Sequence, residues 1–391
     1  MSTPSPVTTT ADPDTVAPSV IPVQSRSEFF SSDQVALFPA VTGREAQWKL
    51  SPVEKLRPLI EGVLDGHRYL VDSTPSTGFS VEWTSTTLVK RGVAGLPEDR
   101  LTANAWEQNQ EVLLVTIEGQ HPEPLRIVRD NLGDDAKSGH TIVTVKPGAK
   151  ATLVMVSKGL ATLAETVEFD LGEGSSLQAV FVGQWDSGSI HYASHFAQIG
   201  KDASFTHIVV DVGGDVVILN PSVHLVGERS EGHLFGGYFA DATQHQEHRV
   251  YVNHVGAQTV SRVNYKGALH GKGARTVWVG DVLIGPDAVG TDSYEQNRNL
   301  VLSEGTRADS IPNLEIKTGD IKGAGHASAT GRFDDEQLFY LQSRGIEELE
   351  ARRLVVLGFL IEIIQKIDDT ELAGELTIVM QEKLTQTEKA S

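Results

Sequence analysis

The sequence contains no cysteine in its 391 residues. Structural disulfides are therefore excluded, and so is any metal site that the chain would build from its own thiolates. Basic residues are also few, with 33 Lys and Arg against 52 Asp and Glu, which gives a formal net charge of −19. Because such an acidic surface repels the phosphate backbone, nonspecific nucleic-acid binding is not expected.

Long apolar runs and export signals are missing too. The longest strongly apolar run, Leu354 to Ile361, is interrupted by Glu362 and is too short to span a bilayer. The N-terminal segment MSTPSPVTTTADPDTVAPSV has no basic region followed by an apolar one, so no signal peptide is expected. We therefore expect a cytoplasmic protein that makes no membrane contact.

Common catalytic motifs are absent as well. There is no G-x-x-x-x-G-K-[ST] run to cradle phosphates, and no G-x-S-x-G elbow. Gly323-Ala324-Gly325 lacks the third glycine of a dinucleotide-binding loop. These absences predict a chain that performs no ATP chemistry of its own, and we expect no enzymatic activity.

Residues 121–332 carry a strand-rich pattern. Short runs that alternate apolar and polar residues recur between glycine-containing turns such as Gly172-Glu173-Gly174, and the chain holds 37 glycines. This pattern predicts a sandwich, a barrel or a β-solenoid, and it does not choose among them. The clearest runs are Thr141–Val145, Ala151–Val156, Thr166–Leu171, Leu177–Val182, Phe205–Val210 and Val216–Leu219.

The flanking regions have other patterns. Residues 1–24 are rich in Ser, Thr and Pro without apolar periodicity, which predicts a disordered tail. Residues 25–120 predict a small mixed helical domain with some strand: a helix that begins near Ser51 and a strand over Phe79 to Val89. The apolar face of that first helix is predicted to comprise Leu56, Leu59, Ile60 and Val63.

Residues 333–391 predict a helical domain with an unusually apolar helix. Apolar residues occur around much of its circumference, and a short helix cannot easily bury all of them, so we expect an exposed binding surface. A last helix is predicted to begin near Thr370. The predicted buried faces comprise Leu349, Val356, Leu360, Ile363 and Ile367 in the first helix, and Leu372, Leu376, Val379 and Leu384 in the last.

His326 is the leading candidate for chemistry. It lies among small residues, after a predicted strand over Leu314 to Lys317 and before a predicted helix. We expect that helix to be capped by Asp334 and Gln337, stapled by Phe333 on Leu338, and stopped at Gly345. An imidazole can ligate iron or zinc, although an isolated histidine is more often structural.

A second histidine group is His245, His248 and His254, with Asp241 and Glu247 nearby. The first two could share a metal on a helix, but the following residues alternate as a strand. In a strand, positions three apart lie on opposite faces. We therefore predict a structural role for this group.

Several motifs in one order resemble the SufB/SufD family, the paired scaffold subunits of the Suf iron–sulfur cluster assembly system. They are YKGALHGKGARTVWVGDVLI, TDSYEQNRNLVLSEGTRAD, LEIKTGDIKGAGHASATG and FDDEQLFYLQSRGI, with a looser match in FPAVTGREAQWKLSPVEKL. The resemblance covers residues 140–365 well and 38–56 loosely. The D-type member is the better match, because the B-type carries cysteines and a Glu after the histidine, where this chain has Ala327.

The resemblance implies a right-handed parallel β-helix core with an N-terminal α/β region and a C-terminal helical domain. It implies a noncatalytic scaffold subunit in which His326 corresponds to the D-type histidine important for cluster assembly. Ala324 replaces a cysteine found in some D-type members, so a mechanism that needs that thiolate is unavailable. A B-type scaffold subunit would supply thiolates for a transient cluster or iron shared with it, and none would be stably bound by this chain alone.

The resemblance also implies that an ABC-type ATPase subunit docks on the C-terminal helices. The candidate docking residues are Leu338, Phe339, Tyr340, Arg344, Arg352 and Phe359. Two other functions stay open: a structural adaptor that binds the ATPase without contacting iron, and a β-helical carbohydrate lyase or hydrolase. The second needs convergent acids on one strand face, and no such row is evident.

Overall fold

The computed structural model describes residue 26 and residues 29–73, 78–332 and 335–389. The predicted disordered tail, and the predicted staple and cap at Phe333 and Asp334, lie outside the described residues. None of the helices in these ranges is both long and apolar enough to cross a membrane.

Strand is the commonest secondary structure in the described chain. The helices are α1 (Val53–Ile60), α2 (Arg100–Gln108), α3 (Asp335–Gln342), α4 (Glu348–Ile364) and α5 (Thr370–Lys389). The strands are β1 (Asp72–Ser73), β2 (Phe79–Ser85), β3 (Glu111–Ile117), β4 (Leu125–Asp130), β5 (Gly133–Val145), β6 (Lys150–Gly159), β7 (Ala161–Leu171), β8 (Ser176–Trp185), β9 (Ile190–Ile199), β10 (Ser204–Gly213), β11 (Val216–Leu225), β12 (Glu231–Asp241), β13 (His245–His254), β14 (Val260–His270), β15 (Arg275–Ile284), β16 (Thr291–Val301), β17 (Arg307–Ile316) and β18 (Ile321–Gly331).

Successive strands alternate between two nine-stranded sheets. Sheet A has the order β17-β15-β13-β11-β9-β7-β5-β3-β2, and sheet B has the order β1-β4-β6-β8-β10-β12-β14-β16-β18. From β3 and β4 onward every pairing is parallel, with partners such as Lys150 and Ser176, 26 residues apart, or Val260 and Asp292, 32 residues apart. This is a parallel β-solenoid of about eight turns, so the mainly β fold and the parallel β-helix are confirmed.

The two ends of the solenoid differ. At the N-terminal end, β2 and β1 run antiparallel to the first strands of sheets A and B and cover their edges. At the C-terminal end, β17 and β18 are the last strands of their sheets, and nothing in the described ranges pairs with their outer edges. Sheet A already includes β2 and β3, so it begins before residue 121.

The interior is built from columns of side chains that share one register position. Successive turns place an apolar residue at the same position of sheet A, and each side chain packs on those above and below it. One such column is Val143, Phe169, Ala197, Val223, Val252, Val282 and Leu314. The six predicted runs all lie within strands, and the predicted turns at Gly148 and Gly174 have positive φ.

The N-terminal helices cover the outer face of sheet A. Leu56, Leu59 and Ile60 are fully buried against sheet residues such as Tyr192. The prediction for Val63 is wrong: this side chain is 90% exposed, because α1 ends at Ile60.

The C-terminal helices cover the outer face of sheet B. Helix α4 packs on the sheet with one side and on α5 with another, which is why it is apolar around much of its circumference. The expected large exposed surface is therefore mostly buried within the chain, although Leu349 is 54% exposed instead of buried. The buried cluster comprises Val154, Val180, Val182, Ile208, Val210, Val212, Phe239 and Ala268 of the sheet, with Val356, Leu357, Leu360, Ile363, Ile364, Ile367, Leu372, Leu376, Met380 and Leu384.

Three histidines are buried without a charged partner at hydrogen-bond distance. His195 Nδ1 lies 2.8 Å from His207 Nε2, and the ring of His254 bonds the hydroxyls of Thr259 and Ser261 at 2.7 and 2.9 Å. Burial lowers the pKa of His195 and of His254 to about 3, and that of His207 well below its usual value. All three are therefore neutral in the folded protein at neutral pH.

We predict that acid destabilises the fold through these imidazoles. Below about pH 6.5 an unfolded histidine binds a proton that the folded one does not, so stability present above that pH is lost as pH falls towards 3. Each such group adds a slope of about 1.4 kcal/mol per pH unit. His254→Gln is expected to reduce the slope by one such unit between pH 5 and 6, measured by urea unfolding.

The exposed His67, with a side chain 65% accessible, provides the control. His67→Gln makes the same replacement at the surface, so comparison of the two variants isolates the effect of burial. His254→Gln also lowers stability at pH 7, because two hydroxyls lose a partner. An unchanged slope in His254→Gln would mean that His254 titrates in the folded protein as it does in the unfolded chain.

Candidate functional site

The candidate site is the open C-terminal end of the solenoid, where His326 lies in the middle of β18. The His326 side chain is exposed. No atom lies near the position that a side chain on Gly323 would take, and only the Tyr294 ring lies near that of Gly325. The last strand therefore presents an imidazole and an unpaired main-chain edge to the surroundings.

His326 lies on the inward face of its strand, although it is exposed. Side chains alternate along a strand, and Ala324, two residues earlier, packs on the interior cluster. The register partner of His326 on β16 is Glu295, which belongs to the inward series of that strand. His326 is accessible because none of the described residues forms a further turn over it.

Glu295 is buried one turn below His326. It is 1% exposed, and neither carboxyl oxygen has a hydrogen-bond partner among the described residues. Burial, together with the charge of Asp281, raises the pKa of Glu295 to about 8. The side chain reaches across the interior to Gly280, where a Cβ atom would overlap Glu295 Oε2 and the Trp278 ring.

A hydrogen-bonded network fills the interior beside Glu295. Asn297 Nδ2 donates to Tyr238 Oη at 2.9 Å, and Tyr238 Oη donates to Asn299 Oδ1 at 2.9 Å. Asn297 Oδ1 accepts from Asn299 at 2.7 Å and from Ser310 Oγ of the last turn at 2.8 Å. These amides are satisfied, which distinguishes them from Glu295.

The second histidine group does not form a site. His248 faces the interior and lies 3.0 Å from Asp211, whereas His245 lies on the outer side, 2.8 Å from Glu247. Glu247 is also paired with Arg249. Burial would raise the pKa of Glu247, but Arg249 and His245 lower it to about 2. The expected opposite faces are thus observed, and no group of three metal-ligating residues occurs in the part of the chain described.

The six candidate docking residues fall into different environments. Phe339 and Tyr340 of α3 are 72% and 54% exposed, and the Arg344 guanidinium stacks on the Tyr340 ring at 4.3 Å. Leu338 is buried and so offers no surface. The other two residues are engaged within the chain: Arg352 pairs with Glu348 at 2.7 Å, and Phe359 is partly buried beneath Lys266.

Sequence reasoning singled out His326 as a candidate and did not single out Glu295. The series Ser293, Glu295, Asn297 and Asn299 forms one face of β16, and the other face, with Asp292, Gln296 and Arg298, is polar as well. Such a series normally indicates a solvent face, because interiors are usually apolar. Only the register with the neighbouring strands shows that this face is the inside.

Comparison with known proteins identifies the family. The family model "SUF system FeS cluster assembly, SufBD core domain" matches residues 128–359. The chain is 44% identical over 378 residues to an iron-sulfur cluster assembly SufBD family protein of Mycobacterium tuberculosis, covering 93% of this chain and 94% of that protein. The corresponding protein of Mycobacterium leprae is 42% identical over 378 residues, which cover 94% and 96% of the two chains.

A more distant relative bears on the subtype. The iron-sulfur cluster assembly protein SufD of Escherichia coli K12 is 27% identical over 332 residues, covering 81% of this chain and 76% of that protein. The chain therefore belongs to the SufBD family of iron–sulfur cluster assembly proteins, with a D-type relationship.

Proposed function

We propose that this chain is a noncatalytic scaffold subunit of an iron–sulfur cluster assembly complex, and that His326 is its ligand at a site shared with a B-type scaffold subunit. The observation that carries the proposal is the position of His326: it is exposed and lies on β18, which no other turn covers in the part of the chain that the structure describes. Because the chain has no cysteine, the thiolates that hold iron–sulfur clusters come from the partner. The cluster or iron is transient, and this chain alone retains none.

The geometry of the open end supports pairing with a second solenoid. Unpaired edges of β17 and β18 offer main-chain donors and acceptors, which a homologous solenoid can satisfy by adding its own strands. The two interiors would then be continuous. His326, on the inward face of the last strand, would lie at the junction, within reach of ligands from the partner.

The exposed aromatic surface of α3 supports docking of an ABC-type ATPase subunit. Phe339, Tyr340 and Arg344 combine two exposed rings with a stacked guanidinium, a composition enriched in interface hot spots. Leu338 is buried, and we assign it the role of holding α3 in place beneath this surface. Arg352 and Phe359 lie outside this aromatic group, and we assign them a supporting role.

The site assignment predicts the behaviour of His326→Ala. In the complex with the B-type subunit, the variant is expected to incorporate several-fold less iron and sulfide than the wild type, because one ligand is lost. Association of the subunits should be unchanged, since the strand edges pair through the main chain. Anaerobic copurification followed by iron and sulfide assays provides the measurement.

His67→Ala is the matched control, since this exposed histidine lies in the N-terminal region far along the chain from β18. The wild-type chain purified alone serves as the blank and is expected to be free of cluster. Wild-type levels of iron and sulfide in His326→Ala would remove His326 from the site and favour the adaptor function. Loss of association would make His326 an interface residue instead.

The docking assignment predicts that Phe339→Ala with Tyr340→Ala weakens binding of the ATPase subunit by at least about tenfold, as for loss of a hot-spot pair. Ile378→Ala on α5 removes a comparably exposed apolar side chain, 55% accessible, and should bind as the wild type does. Affinities can be measured by calorimetry. Equal affinity of the double variant and the wild type would place the ATPase elsewhere.

Deletion of the C-terminal helices is a poorer test of docking. It would expose the apolar outer face of sheet B, including Val180, Ile208 and Val210, which these helices cover. Such a patch promotes aggregation. Because α4 packs on the sheet, the β-core is not expected to stay intact after the deletion.

A further inference from the structure

Glu295 has no structural role that the fold explains. A buried carboxyl group costs free energy unless it is hydrogen bonded, and nearly all buried polar groups in proteins are. Both oxygens of Glu295 lack a partner in the described part of the chain, whereas the neighbouring Asn297 and Asn299 are satisfied. Gly280 provides the space for the carboxyl group at the opposite sheet. The interior thus provides space for the Glu295 carboxyl group, although this group destabilises the folded protein.

The position of Glu295 relates it to His326. The two residues are register partners on neighbouring parallel strands, and both lie on the inward face. Neighbouring strands are about 4.8 Å apart, so side chains at such positions can reach one common ligand. Glu295 is the inner member and His326 the outer one, with the open end of the solenoid beyond.

The interior around the pair is suited to a polar occupant. Besides the carboxyl oxygens, Trp278 Nε1 and Tyr265 Oη are buried and have no partner among the described residues. The last turn places only small side chains beside His326 on β18, namely Ala324 and Ser328. Asp281, the other acid near Glu295, is engaged by Asn313 at 2.8 Å. Glu295 is therefore the acid available to a ligand that enters from the open end.

We propose that Glu295 is a second iron ligand of this chain, acting with His326 to hold a ferrous ion at the inner side of the shared site. Carboxylate and imidazole are both ligands of iron in proteins, and two ligands leave positions for thiolates of the partner. This inference rests on the proposed function and adds to it an oxygen ligand within the solenoid. Iron binding would explain why a carboxyl group is buried there without a hydrogen-bond partner, at a cost in folding free energy.

The test uses the complex with the B-type subunit, dialysed anaerobically against ferrous iron, with the wild type, Glu295→Gln and His326→Ala. Glu295→Gln keeps the shape of the side chain but removes the carboxylate. It is expected to lower the affinity for ferrous iron at least about tenfold, the lower end of the effect seen when groups supporting a metal site are lost. Glu304→Gln, at an exposed turn, is the matched control and should bind as the wild type does.

A second measurement separates a ligand from a structural brace. If Glu295 binds iron and does not stabilise the fold, the isolated chain with Glu295→Leu should melt at a higher temperature than the wild type. The reason is that an apolar group in place of a buried, unpartnered acid stabilises a fold. Glu295→Gln should melt no lower than the wild type. Subunit association should be unchanged in both.

The outcomes distinguish the two proposals. Wild-type iron affinity in Glu295→Gln with reduced affinity in His326→Ala overturns this inference and leaves the proposed function standing. Wild-type affinity in both variants overturns the ligand role of His326 in the proposed function, and this inference with it. A lower melting temperature in both Glu295 variants identifies a structural brace and overturns the inference.

Discussion

The main-chain hydrogen bonding between successive turns is the constraint on which the rest of the structure depends. Each strand satisfies its donors and acceptors on the turns before and after it, and this stacking also fixes the columns of interior side chains. The N-terminal end meets the constraint with antiparallel strands β1 and β2. The C-terminal end does not within the described residues, so β17 and β18 keep an unpaired edge and His326 stays accessible. The unpaired edge and the exposure of His326 therefore have the same cause, since β17 and β18 form the last turn among the described residues.

The interior changes character along the solenoid. Its first turns are lined by aliphatic side chains such as Leu113 and Leu125, whereas the turn next to the open end carries Glu295 and Asn297. Aliphatic columns stabilise the stack through burial, and the polar turn gives up part of that stabilisation. The C-terminal helices compensate on the outside, where α4 and α5 bury an apolar face of sheet B. The polar turn lies next to the open end, directly beneath the strand that carries His326.

Much of the fold was accessible from the sequence, because strand alternation and glycine turns are local signals. The runs near Thr166 and Phe205 lie in strands, as predicted. The choice of a solenoid came from the family resemblance, since registers 26 to 32 residues apart leave no local trace. Tertiary packing covers the apolar surface of α4 with a sheet and a helix. It also places Glu295 inside, although β16 is polar on both faces and its sequence does not distinguish the inner face from the outer one.

Amide hydrogen exchange of the last turn tests the central claim most directly, namely that the open end is where a partner solenoid continues the sheets. Exchange is compared for this chain alone and with the B-type subunit. The account predicts that main-chain amides of 307–316 and 321–331 gain protection on complex formation, whereas the already paired strands near the N-terminal end change little. A stable complex in which the amides of β17 and β18 exchange as fast as in the isolated chain would contradict it.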